Sequence, residues 1–116
     1  MKKARFFWKS TCSTCRDARA FLKDVLRVTL DERDYARKPL TNTELKELFA
    51  GRDPRDFVNP RSTPFKAINL AGKRLTPEQA IELMAREPNL IKRPIIAIGN
   101  ELIAGFDRDR IRAALK

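Results

Sequence analysis

A short apolar run, Phe6-Phe7-Trp8, passes within a few residues into an amphipathic helix pattern, and Cys12-Ser13-Thr14-Cys15 sits at the junction. Ala18, Phe21, Leu22, Val25 and Leu26 recur at the three-and-four spacing of one buried helix face. Arg16, Asp17, Arg19, Lys23 and Asp24 occupy the other side, and Ser10 or Thr11 can cap the start. Val28 to Tyr35 then alternates apolar and polar residues at Val28 and Leu30 and reads as a second strand. Residues 4–8, the helix and this segment form strand, helix, strand. A helix between two such strands makes them parallel neighbours, so the spacing predicts a βαβ unit.

The middle of the chain reads as helical. Thr41-Asn42-Thr43-Glu44 is a capping-box pattern before Leu45, Leu48 and Phe49, with Gly51 ending the helix. Asp53-Pro54 opens a short helical turn through Phe57 and Val58, and Asn59-Pro60-Arg61-Ser62 breaks it. Phe65, Ile68 and Asn69 suggest a further short helix. Thr76-Pro77-Glu78-Gln79 is a second capping box, leading through Ala80, Ile81, Leu83 and Met84 to about Arg86. After Arg93-Pro94, Ile95-Ile96-Ala97-Ile98 reads as a buried strand, Gly99-Asn100 as a hairpin turn, and Glu101 to Gly105 as the return strand. Asp107 starts a last helix through Ile111 and Leu115. The order β-α-β, helices, β-β-α is that of an α/β, thioredoxin-like fold. It has a mixed four-stranded sheet and a helical insertion at about 40–88, within one domain over 1–116.

Composition narrows the function classes. The length of 116 residues can bury a real core. No stretch approaches the roughly 20 apolar residues that cross a bilayer. The basic start, Met1-Lys2-Lys3-Ala4-Arg5, precedes an apolar run that Lys9 interrupts, too short for a signal peptide. The expectation is a cytoplasmic protein with no membrane partner. The net charge of +10 favours oxyanions or acidic partners, but Asp and Glu are interspersed and no five like charges adjoin, as on a solvated arginine-rich surface. Trp8 and Tyr35 stand apart, so no aromatic stacking surface supports direct nucleic-acid binding. The chain has no histidine, which excludes Ser/His/Asp and Cys/His catalysis.

The chemistry then centres on the two cysteines, the only ones in the chain. A cysteine pair in a reducing compartment points to catalysis, redox sensing or metal rather than a structural staple. Cys12 falls at a helix start, where the helix field favours thiolate, and Cys15 one turn in, where it is shielded. Cys12 is the expected nucleophile and Cys15 the resolving thiol. Arg16 and Lys9 add positive charge nearby. Zinc is the main competing use, but structural zinc takes four ligands, commonly Cys or His, which one copy of this chain lacks. A pair of small core residues is another alternative. Arg93-Pro94, just before a buried strand, suits either a cis bond that turns Arg93 toward Cys12 or a trans bond with a surface arginine. Asn59-Pro60-Arg61-Ser62 offers a loop arginine for a second anion contact, or a connector with capping duties. No cofactor is expected.

These residues resemble the arsenate reductase (ArsC)/Spx family of thioredoxin-like proteins over almost the whole chain. The markers are Cys12-x-x-Cys15-Arg16-x-Ala18-Arg19, Arg33-Asp34-Tyr35, Pro39-Leu40-Thr41, Asn59-Pro60-Arg61-Ser62, Leu90-Ile91-Lys92-Arg93-Pro94 and Leu102-Ile103-Ala104-Gly105-Phe106. The resemblance implies two activities. In arsenate reductases one cysteine attacks arsenate and three arginines support it. The cysteine corresponds to Cys12 and the arginine before proline to Arg93. The middle arginine falls nearest Asn59, with Arg61 two residues on, and the last falls around Gly105, where there is none. Trp8-Lys9-Ser10 stands where the reductases carry His-Asn-Pro. These departures argue against arsenate itself. In the Spx branch the Cys-x-x-Cys pair is a redox switch in a stress regulator that binds the RNA polymerase α subunit. The resemblance thus implies an arsenate reductase-like thiol–disulfide oxidoreductase or an Spx-type regulator. It implies Cys12, Cys15 and Arg93 as catalytic residues. Arg61, Asn59, Pro94 and Arg16 would bind the oxyanion or substrate, and thioredoxin or glutaredoxin with glutathione would be the reductant.

Overall fold

The computed structural model describes residues 2–70 and 74–116. The chain divides into two compact units, Met1–Lys38 with Arg93–Lys116, and Pro39–Lys92. The first unit carries the sheet: β1 (Lys3–Trp8), β2 (Thr29–Asp34), β3 (Ile95–Ile98) and β4 (Glu101–Ala104), in spatial order β2-β1-β3-β4. β1 and β2 run parallel, from Lys3 opposite Thr29 to Trp8 opposite Asp34. β3 lies antiparallel to β1, with Phe7 opposite Ile95, and β4 antiparallel to β3. This is the mixed sheet of the thioredoxin-like plan. Gly99 takes the left-handed conformation (φ 57°) in the β3–β4 turn, as a tight hairpin requires.

Helix α1 (Ser13–Ala20) crosses from β1 to β2 and continues into a π-helical turn, Phe21–Val25. Phe6, Ala18, Leu22, Ile96, Ile103 and Ile111 form the dry centre of this unit. The last of these comes from α5 (Arg108–Ala114), capped by Asp107, whose carboxylate accepts the Arg110 N–H at 3.1 Å. Several arginines lie over aromatic rims: Arg108 over Phe106 at 4.3 Å, Arg112 over Phe21 at 5.2 Å and Arg19 over Trp8 at 5.4 Å. Part of the chain's excess positive charge therefore covers aromatic rings while staying in water.

Three expectations for this unit are corrected. Val25 is not on the buried face but 60% exposed. The Leu26 N–H bonds to the Phe21 carbonyl five residues back, and the wider π turn swings Val25 off the face that 3.6-residue spacing assigns it. The second strand starts at Thr29 and ends at Asp34, inside the expected bounds. Neither Ser10 nor Thr11 caps α1: Cys12 occupies the N-cap position, with no side-chain cap bond.

The second unit is helical. Both expected capping boxes close: Thr41 with Glu44 opens α2 (Asn42–Leu48), and Thr76 with Gln79 opens α4 (Pro77–Arg86). Single-turn 3₁₀ segments form at Pro54–Phe57 and, not foreseen, at Pro88–Leu90. α3 (Thr63–Leu70) lies where a short helix was expected. Phe49 stacks on Phe57 at 4.6 Å, and Val58 bridges Ile91.

The contrast between two neighbours on the first helix is testable. Leu22 is fully buried, so Leu22→Ala should cost about 2–5 kcal/mol in urea unfolding. Val25→Lys should stay within about 0.5 kcal/mol of the parent.

Candidate active site

The sheet topology gathers the chemistry at one edge. The parallel pairing brings the ends of β1 and β2 side by side, and the antiparallel pairing starts β3 at that same edge. The cysteine loop follows β1, Asp34-Tyr35 ends β2, and Arg93-Pro94 precedes β3. The loop is tied down on both sides. Ser10 Oγ donates to Asp34 Oδ2 at 2.6 Å, and the Tyr35 N–H donates to the Trp8 carbonyl at 3.1 Å. The Cys12 N–H donates to the Lys9 carbonyl at 2.9 Å, closing the tight turn before α1. Ser10 therefore anchors the loop to β2 instead of capping the helix.

Both thiols are free, and their surroundings differ. Cys12 is half-buried and Cys15 fully buried. Burial alone would raise the Cys12 thiol. The Cys15 N–H and thiol, then the hydrogen bond and charge of Arg93, outweigh it, so the Cys12 pKa lies below the ordinary value. The Cys15 N–H contact is looser than a formal cap bond, but it presents the positive end of the helix to the sulfur. Cys15 is pushed up to about 12, first by burial and then by the neighbouring Cys12 sulfur, against a hydrogen bond from the Lys9 N–H. One turn of helix sets the two side chains about 5–6 Å apart, near disulfide reach.

Arg93 is half-buried, and its bond to the buried Pro94 is cis. The Gly105 N–H donates to the Pro94 carbonyl at 2.8 Å, holding the proline against the end of β4. Of the expected site residues, Cys12, Cys15, Arg93, Pro94 and Arg16 belong to the first unit. Arg16 is exposed and donates to the Ser10 carbonyl at 3.0 Å, so its guanidinium braces the loop. Asn59 and Arg61 belong to the second unit. There Asn59 builds a turn: its side chain accepts the Arg61 N–H at 3.0 Å and its carbonyl accepts from Ser62 Oγ at 2.8 Å, leaving Arg61 exposed. Among the described residues, no cluster of three or more His, Cys, Asp and Glu side chains is placed to hold a metal ion.

Two participants were not singled out from the sequence. Asp34 accepts both Ser10 and the Ala36 N–H, and Tyr35 buries its side chain completely. Arg33-Asp34-Tyr35 was visible as a motif, but nothing in one strand's sequence says which loop its end will face.

With this geometry in place, comparison with known proteins gives a consistent result. The ArsC family model matches residues 7–114. The chain belongs to the ArsC family. The global transcriptional regulator Spx of Streptococcus pyogenes serotype M1 is 32% identical over 111 residues, 94% of this chain and 82% of that protein. YusI of Bacillus subtilis (strain 168) is 31% identical over 109 residues, 90% of this chain and 92% of YusI. Among solved structures, the YFFB (PA3664) protein superposes with a TM-score of 0.83 at 31% identity, covering 97% of this chain and 99% of that one. An arsenate reductase from Vibrio cholerae shares the fold, with a TM-score of 0.82 at 22% identity over 98% of both chains. Family membership and the paired thiols together support a thiol-based redox protein. No helix among the described residues is long and apolar enough to cross a membrane.

Two outcomes test the electrostatics. Iodoacetamide at neutral pH should modify Cys12 well before Cys15, with a reactivity midpoint below that of a free thiol, and Arg93→Ala should raise that midpoint by roughly one unit. Equal labelling of both cysteines by mass spectrometry would contradict the site as described. Separately, Asp34 is held below the ordinary carboxyl value. Burial opposes this, and hydrogen bonds from Ser10 and from backbone N–H groups outweigh it. A depressed folded-state pKa contributes stability above the unfolded value and loses it as pH falls through the folded one. Asp34→Asn should therefore be less stable than the parent at pH 7, and the gap should narrow as the pH is lowered below 3.8, the unperturbed carboxyl value.

Proposed function

We propose that this ArsC-family protein is an arsenate reductase-like thiol–disulfide oxidoreductase that cycles a Cys12–Cys15 disulfide in the cytoplasm. The contrast between the two thiols carries this reading: one is half-exposed with its thiolate favoured, and the other is buried and protonated one turn away. The Cys12 thiolate attacks one sulfur of an oxidised substrate, forming a mixed disulfide and releasing the other sulfur as a thiol. Cys15 then attacks Cys12, releases the remaining substrate thiol and leaves the intramolecular disulfide. Thioredoxin, or glutaredoxin with glutathione, restores the dithiol. Arg93 steadies the Cys12 thiolate or a substrate oxyanion with a charge-assisted hydrogen bond. Arg16 and Pro94 contribute to binding that substrate, and the family pattern alone nominates Arg61 and Asn59 as oxyanion- or substrate-binding residues. The chain acts as one domain over 1–116.

A second reading is an Spx-type redox-sensing transcriptional regulator that binds the RNA polymerase α subunit. The likeness to the Streptococcus pyogenes regulator over 94% of the chain favours it. The same disulfide would then act as a switch, not as a turnover intermediate.

The two readings separate in one pair of experiments. A reductase reduces a model disulfide catalytically with either thiol system, loses all turnover in Cys12→Ser and stalls as a mixed disulfide in Cys15→Ser, as followed by NADPH consumption and mass spectrometry. Arsenate itself should be a poor substrate. A regulator shows no turnover but retains the α subunit differently in its reduced and oxidised forms. Absence of turnover together with equal or absent α-subunit binding in both forms would sink both.

A further inference from the structure

A groove on the outer side of α1 begins one helical turn from the nucleophile. Its cavity of about 280 Å³ is lined by Trp8, Arg16, Arg19, Ala20, Lys23 and Asp24. All six come from the end of β1 and the helix that follows it. Arg16 donates its N–H to the Cys12 carbonyl at 3.1 Å, which ties one end of the groove to the thiol. Lys23 and Asp24, at the other end, belong to the π turn Phe21–Val25. Such an irregularity within a helix recurs at binding sites.

Three cations against one carboxylate leave the lining positive. The three are not equivalent. Arg19 is engaged as a wall: its Nε and Nη2 donate to the Glu32 carboxylate at 2.6 and 3.2 Å, and its guanidinium lies over the Trp8 ring at 5.4 Å. Arg16 gives one N–H to the Ser10 carbonyl at 3.0 Å and is otherwise exposed. Lys23 is exposed and, among the described residues, makes no hydrogen bond or ion pair. Arg16 and Lys23 therefore have donors to spare, with Trp8 and Ala20 as the apolar surface of the same groove. Arg19 over the Trp8 ring and Phe6 packed against it at 5.6 Å leave that surface better suited to an aliphatic group than to a stacked base.

The spacing selects the occupant. Arg16 and Lys23 lie two helical turns apart, about 10 Å along the axis. An extended peptide turns alternate side chains to one face, so two acids four residues apart span about 13 Å with an apolar side chain midway. Long arginine and lysine side chains bridge that difference. We propose that this groove docks an extended acidic segment, of the pattern acid–x–apolar–x–acid, in the protein whose disulfide Cys12 attacks. This rests on the thiol–disulfide exchange proposed above, and it gives that exchange a substrate class: protein disulfides flanked by spaced carboxylates.

The test compares acetyl-Cys-Gly-Glu-Ala-Leu-Ala-Glu-amide with its twin carrying Gln for each Glu, both as mixed disulfides with thionitrobenzoate. The Cys12 thiolate bonds to the peptide sulfur. Thionitrobenzoate, the more acidic thiol, leaves with the electron pair and is read by absorbance. The acidic peptide should react about 3- to 10-fold faster in dilute buffer, and the preference should vanish at about 0.5 M salt. Taking the ratio of the two rates cancels the reactivity of Cys12 itself. Lys23→Glu should abolish the preference, while Lys46→Glu, the same charge change on α2, should keep most of it. Trp8 is the chain's single tryptophan, so its fluorescence reports on the groove. A cysteine-free version of the acidic peptide should change it saturably in the parent and not in Lys23→Glu. Equal rates for the two peptides, a preference that survives Lys23→Glu, equal loss in both lysine variants, or a Trp8 signal that answers to oligo(dT) and not to the acidic peptide would each overturn the proposal. If Cys12 reacts with neither disulfide, the thiol-exchange reading itself fails, and the Trp8 titration still decides the docking.

Discussion

The pairing of β1 with β2 runs in parallel to the last residue of each strand, Trp8 opposite Asp34, and everything at the site depends on that register. Side chains alternate along a strand, so a slip of one residue would turn every one of them to the other face. The cysteine loop would then lose its two anchors. Ser10 would no longer meet Asp34, and Tyr35 would no longer bond the Trp8 carbonyl. The register is in turn held by burial. Ala4 and Phe6 lie on the core side of β1 with Val28 just before β2, and exposing them costs more than any polar contact at the edge returns.

From that frame the electrostatic asymmetry follows without a metal or a histidine. The loop ends at a helix N-terminus, so Cys12 meets peptide N–H groups, while Arg93 arrives from the neighbouring strand. Cys15, one turn on, is fully buried, and desolvation raises it to about 12. Two identical side chains thus acquire opposite acid strengths from three residues of separation and a helix that buries one face. The attacking and resolving roles proposed for them need little more.

The positive charge that suggested an anionic partner has a second physical role. Arg108 and Arg19 lie over the rings of Phe106 and Trp8, which stay partly exposed, and Arg112 lies over the buried Phe21. Net charge alone is therefore a poor guide to ligands here. The informative arginine is Arg93, picked out by its hydrogen bond to Cys12.

Much was legible from residue order alone: the strands, both capping boxes and the hairpin at Gly99-Asn100. These are local signals, set by side-chain period, cap chemistry and turn preference, and they survive into the fold because tertiary contacts agree with them. The exceptions were decided at longer range. Val25 reads as core by helical spacing, but a π turn places it in water. Ser10 reads as a cap, but Asp34, 24 residues away, takes its hydroxyl. Tyr35 reads as an isolated aromatic, and only sheet pairing ties its backbone to the Trp8 carbonyl at the start of the cysteine loop. The sequence by itself determined the elements, their order and the reactive residue types. Only the tertiary structure decided which strand end faces the cysteines, because hydrogen-bond partners and desolvation belong to the packed chain and not to any segment of it.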